Sequence, residues 1–270
     1  MTDLNNKLVL LTGATGGFGS HFVDQLLSSG ARLIITDRDP GLLDGLCDRH
    51  ADQETRMVAA ITADLSSHAG CNDLIAAVNA LEDTPDVLIN NAGIAVAGRL
   101  DHVPSARWET LMQVNLLAPM RLTTALVPAM VKRGSGHIVN IASLAAWVGS
   151  PGLTSYCAAK FGLRGFSESL AFDLAEHNIR VSTVCPSFSD TPILDSAQFG
   201  FDQQRAVPRE FLSDPADVVA RVIQGIERDA ANIFPDRTAR LTHYLARYLP
   251  WTIPMLQRRL ERKTLEAASG

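Results

Sequence analysis

Tyr156 and Lys160 stand four residues apart in the run Tyr156-Cys157-Ala158-Ala159-Lys160, within a stretch patterned as an amphipathic helix. Residues at i and i+4 share one helix face, so the ammonium can sit beside the phenol. A free phenol titrates near pH 10 and is a poor base at neutral pH. A cation beside it stabilises the phenolate and lowers that value, which would make Tyr156 a usable general acid/base. Ser143 lies thirteen residues earlier, directly after a short apolar run. A Tyr-x-x-x-Lys pair alone more often reflects surface packing, so its weight comes from its surroundings.

Near the N-terminus, Thr12-Gly13-Ala14-Thr15-Gly16-Gly17-Phe18-Gly19 follows an apolar run and opens a helical pattern. Glycines in such a turn let the backbone approach a pyrophosphate, which then rests on the helix N-terminal amides. The spacing GxxxGxG differs from the common GxGxxG fingerprint. Asp37 closes the next apolar run, eighteen residues past Gly19. An acid there can bind a ribose hydroxyl and repels a 2′-phosphate, favouring NAD(H) over NADP(H). The neighbouring Arg38 pulls the other way, since a guanidinium can pair with that phosphate. Asp64-Leu65 is placed to touch the adenine, and Asn90-Asn91-Ala92-Gly93 to meet the cofactor, with Gly93 permitting close backbone approach. Singly, an Asp or Asn after a strand is usually a cap or turn residue. Here every loop on one edge carries one.

The elements that must position these residues are legible as short apolar runs alternating with amphipathic stretches. Strands are expected at 7–12, 32–36, 56–61, 86–90, 136–142, 179–184 and 231–234. Helices are expected at 18–29, 41–49, 69–81, 105–132, 155–177 and 215–228. Near-continuous apolar strands are what a sheet covered on both faces requires. The strand-helix alternation implies α/β architecture: one Rossmann-type, doubly wound parallel sheet of about seven strands, followed by a helical C-terminal extension. Residues 1–236 form the expected catalytic domain, with a substrate loop at 187–212, and residues 237–270 the extension. Such sheets bind ligands beyond the carboxyl ends of the strands.

The 270 residues are 46% hydrophobic and 20% charged, which excludes a disordered or collagen-like chain. A net charge of −5 gives no pointer to nucleic acid. The four cysteines, Cys47, Cys71, Cys157 and Cys185, show no metal spacing, so no metal is expected and the thiols fit a reducing compartment. The N-terminus is too polar for a signal peptide, and no uncharged run reaches the roughly 18 residues of a membrane span. A soluble, cytoplasmic protein is the expectation.

Taken together, TGATGGFG, ADL, NNAG, Asn115, Ser143, YCAAK and Pro186 with Thr191 stand in an order and spacing that resembles the classical short-chain dehydrogenases/reductases, over roughly residues 5–235. The resemblance implies a nicotinamide cofactor and an alcohol-to-carbonyl reaction. It implies that Tyr156 exchanges the substrate proton, that Lys160 bonds the nicotinamide ribose and lowers the tyrosine pKa, and that Ser143 bonds the substrate oxygen. It implies that Asn115 holds a water linking Lys160 to solvent. Pro119, four residues on, lacks the N–H that the carbonyl of residue 115 would receive, so a kinked helix with a free carbonyl is expected there. Gly13, Thr15, Gly17, Phe18, Gly19, Asp37, Asp64, Leu65, Asn91, Gly93, Tyr156, Lys160 and Thr191 are the expected cofactor contacts. A homodimer or homotetramer, joined through the 105–132 and 155–177 helices, is implied as well.

The chain departs from the family where Pro-Gly gives way to Pro186-Ser187, which should stiffen the loop leading to Thr191. Phe188, Ile193, Leu194, Phe199, Phe201 and Phe211 make the substrate loop apolar, suiting a small apolar hydroxyl or keto substrate. The leading expectation is therefore an NAD-dependent oxidoreductase acting on an apolar secondary alcohol or ketone. The alternatives are an NADP-dependent carbonyl reductase on the same site, or a non-catalytic dinucleotide sensor. From Arg237 to Lys263 seven basic residues face one acid, a local +6 that leaves the remainder at −11. This cationic extension, broken by Pro250 and Pro254, can lie in a membrane interface, close the pocket, meet a second subunit or simply form a solvated surface. Residues 264–270 are expected to fray.

Overall fold

The computed structural model describes residues 1–81 and 83–268. Its strands are β1 (Leu8–Thr12), β2 (Arg32–Asp37), β3 (Met57–Thr62), β4 (Val87–Asn90), β5 (Ala97–Gly98), β6 (Gly136–Ile141), β7 (Ile179–Val184), β8 (Gln198–Phe199) and β9 (Asn232–Ile233). Its helices are α1 (Gly17–Ser28), α2 (Pro40–Arg49), α3 (His68–Asn79), α4 (Ser105–Met112), α5 (Ala118–Arg133), α6 (Thr154–Leu174), α7 (Pro215–Glu227), α8 (Arg237–Tyr248) and α9 (Ile253–Ala268). Seven strands form one parallel sheet in the order β3-β2-β1-β4-β6-β7-β9. The order reverses between β1 and β4, and it is at such a switch point, beyond the carboxyl ends of the strands, that sheets of this kind bind ligands.

Both faces of the sheet are covered, which is why β1 is buried at every position. Phe22, Leu26, Leu43, Val222 and Ile226 pack on one face from α1, α2 and α7. On the other, Leu74, Leu122, Leu126, Met130 and Leu174 pack from α3, α5 and α6. Side chains cap α2, α3, α7 and α8 through Asp39, Ser67, Asp214 and Asp236. Helix α1 has no side-chain cap among the described residues, which leaves its first-turn amides without a side-chain acceptor.

Several local features differ from the expectation. The helix expected over 105–132 is interrupted by a wide π turn at Gln113–Leu117, where the Ala118 amide reaches back to the Gln113 carbonyl. Just before Pro119 the chain thus accommodates the lost hydrogen bond by an inserted residue rather than a simple kink. Although the run Ser105–Arg133 is long and apolar enough to cross a membrane, its Leu122, Leu126 and Met130 are core residues. The expected substrate loop is not irregular throughout: β8 pairs in parallel with β5, through Ala97 with Gln198 and Gly98 with Phe199. In the extension, Pro254 sits in the first turn of α9 rather than breaking it, a position where a missing N–H costs nothing. Helix α9 continues to Ala268, through the stretch expected to fray; residues 269 and 270 lie outside the described residues.

Beneath the sheet's amino edge, His137 is 1% exposed between the hydroxyls of Thr2 (3.0 Å) and Ser182 (2.8 Å). Burial pushes its pKa down from 6.5 to about 4, against the opposing pull of Asp229. Between those values the unfolded chain binds the extra proton and the folded chain does not, so stability rises with pH across that window. Stability should therefore fall by roughly 3 kcal/mol from this residue as pH drops from 6.5 to 4. Thermal melts at about pH 7 and about pH 4.5 should show a smaller acid loss in His137→Gln than in the parent.

Candidate active site

Hydrogen bonds stitch together the two central strand ends, β1 and β4. The Thr12 hydroxyl accepts from the amides of Asn91 and Ala92, both at 3.0 Å. The Asn91 side-chain amide donates to the carbonyls of Thr12 and Gly13, both at 2.9 Å. Asn91, expected to touch the cofactor, thus commits its amide to the glycine loop. Gly13 has φ +66°, and a Cβ there would stand 2.8 Å from Ala92 Cα. A Cβ at Gly19 would overlap the Gly13 carbonyl oxygen, so α1 can press on the loop only with glycine at that point. At Gly17 a Cβ would lie 2.5 Å from Thr191 Cγ2, so the loop after β7 docks directly on the glycine turn.

Of the other expected cofactor residues, Leu65 is buried in the core and Phe18 is half-buried against it. Asp37 accepts from the Thr15 amide (3.0 Å) and from the Arg38 amide (2.7 Å), fixing its carboxylate beside the glycine loop. Hydrogen bonds from Ser66 hold the Asp64 carboxyl below its ordinary range, and the Arg38 guanidinium adds to that effect. Glycine turn, uncapped helix and anchored acid converge on one edge, as a dinucleotide requires.

The residues expected to handle the proton meet beyond β4 and β6. Lys160 is 4% exposed and donates to the Ile141 carbonyl at 2.7 Å, with its ammonium 5.6 Å from the centre of the Tyr156 ring. Gly93 leaves room for it: a Cβ there would stand 3.7 Å from Lys160 Nζ and 3.5 Å from Asn115 Oδ1. In the π turn, Asn115 clips the segment after Gly93, accepting from the Ile94 amide (2.9 Å) and donating to its carbonyl (2.8 Å). Ser143 accepts from the Ala145 amide at 3.1 Å at the head of a short turn.

Burial dominates the electrostatics here. It pushes Tyr156 up to about 12, with a hydrogen bond to Ser143 acting in the opposite direction. It pulls Lys160 down to about 8. The net shift of Tyr156 is therefore upward, opposite to the lowering expected from Lys160. At 5.6 Å the ammonium faces the ring, and its hydrogen bond goes to a backbone carbonyl.

Sequence reading missed several supports. Asn90 donates to Asn140 (2.8 Å), which donates to Ser167 (2.8 Å), a buried polar ladder tying β4 and β6 to α6. Ser187, at the departure from the family pattern, bonds Asp236 through its hydroxyl (2.7 Å) and amide (2.9 Å). That pairing anchors the loop leading to Thr191 to the start of α8. Tyr156 itself is packed with Ile94, Val96, Leu111 and Phe199, an apolar wall completed by the β5–β8 pair.

A dinucleotide edge joined to a Ser-Tyr-Lys cluster defines a nicotinamide-dependent oxidoreductase. The model of the short chain dehydrogenase family matches residues 7–199, and the chain belongs to that family. Nodulation protein G of Rhizobium sp. (strain N33) is 33% identical over 238 residues, covering 86% of this chain and 94% of that one. A short-chain dehydrogenase from Sphingobium yanoikuyae, solved with NADPH, is 27% identical with a TM-score of 0.78, covering 91% of this chain and 95% of that one. A bulky-bulky ketone specific alcohol dehydrogenase from Comamonas testosteroni is 25% identical with a TM-score of 0.75, covering 93% and 95%. Two relatives were solved with a nicotinamide cofactor, NADPH in the Sphingobium yanoikuyae enzyme and NADP in a metagenomic short-chain oxidoreductase.

The glycine loop yields a sharp contrast. Gly19→Ala should lose cofactor binding and several °C of thermal stability, because its methyl has only backbone to displace. Gly16→Ala, whose nearest neighbour would lie at 3.4 Å, should keep both within about 1 kcal/mol. Cofactor fluorescence titration and thermal melts of the two variants check this.

Proposed function

We propose that the protein is an NAD-dependent oxidoreductase that moves a hydride between the nicotinamide and a small apolar secondary alcohol or ketone. The observation that carries this reading is the meeting of Ser143, Tyr156 and Lys160 beside the wall of Ile94, Val96 and Phe199. A bound nicotinamide supplies or accepts the hydride. In ketone reduction, the Tyr156 hydroxyl gives its proton to the substrate oxygen as the hydride reaches the carbon. Ser143 donates to that same oxygen and holds it in place. The ammonium of Lys160 steadies the phenolate left behind and binds the nicotinamide ribose. Asn115, whose carbonyl Pro119 cannot bond at the usual helix spacing, holds a water that returns a proton toward Lys160. Oxidation of the alcohol runs the same proton path in reverse.

NAD is favoured because Asp37 is fixed beside the glycine loop, where its charge repels a 2′-phosphate. Arg38 supports the second reading, an NADP-dependent carbonyl reductase, although part of its charge acts on Asp64. We place the enzyme in the cytoplasm, because its four cysteines are free thiols. We assign subunit contacts to the apolar outer residues of the long helices, Phe172 on α6 (84% exposed) above all, in a homodimer or homotetramer.

Parallel titration with NADH and NADPH tests the cofactor assignment, with tighter NADH binding expected and its reversal by Asp37→Ser giving the control. Tyr156→Phe should lower kcat by about 10²–10⁴ while cofactor affinity stays within a few fold. Retained turnover would remove Tyr156 from the proton path.

A further inference from the structure

Helix α8 is docked by one face and exposed on the other. Its inner side buries Ala239 and stacks His243 on Phe234, with ring centres 4.2 Å apart, and edge-on against Trp147, also at 4.2 Å. Its outer side carries Leu241, Tyr244 and Tyr248 at i, i+3 and i+7, which are 61%, 59% and 64% exposed. Trp251, in the turn between α8 and α9, is 71% exposed, and Met255 on α9 is 51% exposed. A helix face of this composition normally turns inward.

We infer that this face docks on an anionic lipid surface. Three observations favour lipid as the occupant. Arg237, Arg240, Arg247, Arg258 and Arg259 are exposed around the stripe, and no acidic residue occurs between Arg237 and Arg259. Charge is divided within the molecule, +6 over residues 237–263 against −11 elsewhere, so an anionic surface attracts the extension and repels the body. The aromatic members are Tyr and Trp, whose rings are apolar with one polar handle and settle at headgroup depth. The core of a subunit contact is instead depleted in charge. The extension is also braced from behind, by Gln257 donating to the Gly149 carbonyl (3.0 Å) and Lys263 to Glu210 (2.5 Å).

The test is co-sedimentation of the full chain with vesicles of phosphatidylcholine alone and of phosphatidylcholine mixed with phosphatidylserine. Binding to the mixed vesicles should be at least about tenfold stronger and should weaken as salt is raised. The paired variants Tyr248→Ser/Trp251→Ser and Arg258→Gln/Arg259→Gln should each lose about tenfold of that binding. Both should keep the parent's circular dichroism and its turnover of a water-soluble ketone, because all four residues are exposed. Equal binding to both vesicle types, or none to either, overturns the inference. So does a smaller sedimenting mass of Tyr248→Ser/Trp251→Ser without vesicles, which would make the face a contact with a second copy.

Discussion

A lysine ammonium removed from water costs several kcal/mol unless the protein bonds it in place, and Lys160 is such a group. The Ile141 carbonyl that accepts its hydrogen bond, at 2.7 Å, comes from the last residue of β6. Several otherwise separate features serve that placement. Gly93 leaves the space, Asn115 holds the backbone beside it, and the π turn positions Asn115 inward. The polar ladder of Asn90, Asn140 and Ser167 fixes α6 against the strands from which the space is built. The depressed pKa of about 8 is the residual cost of this burial, and it leaves the ammonium responsive to charge developing nearby.

The cofactor edge follows a different constraint, close approach of backbone to backbone. Thr12 and Asn91 stitch the loops that diverge at the switch point, and Gly13 and Gly19 let those loops and α1 meet without side chains between them. The same closeness brings Thr191 onto Gly17, so the glycine loop and the loop after β7 share a contact. Ser187 and Asp236 extend the connection to the C-terminal extension. The loop after β7 thus touches the glycine turn at Thr191 and the start of α8 at Ser187.

The seven strands of the main sheet were legible because buried parallel strands read as unbroken apolar runs. The positions of Tyr156, Lys160, Ser143 and the glycines were legible because each follows a strand or shares a helix face. The β5–β8 pair was not, since two residues per strand leave no periodicity. Pro119 signalled a disturbance but not its form, because a kink and a π turn lose the same hydrogen bond. Ser187 and Asp236 are 49 residues apart, and no local pattern links them. Spacing also suggested a lowered Tyr156 pKa, whereas burial reverses the direction, a property of the packed site that sequence does not carry.

The most direct test of the proton path is the pH dependence of kcat/KM in both directions with one apolar alcohol and its ketone. A tyrosine at about 12 is protonated and ready to donate throughout the neutral range, while its phenolate is scarce. Ketone reduction should therefore be flat below about pH 8 and fall above it, as Lys160 loses its proton. Alcohol oxidation should rise with pH over the same range. A reduction profile that stays flat well above pH 8, or that rises with pH, would contradict the assignment of Tyr156 and Lys160 as the groups that carry the proton and its charge.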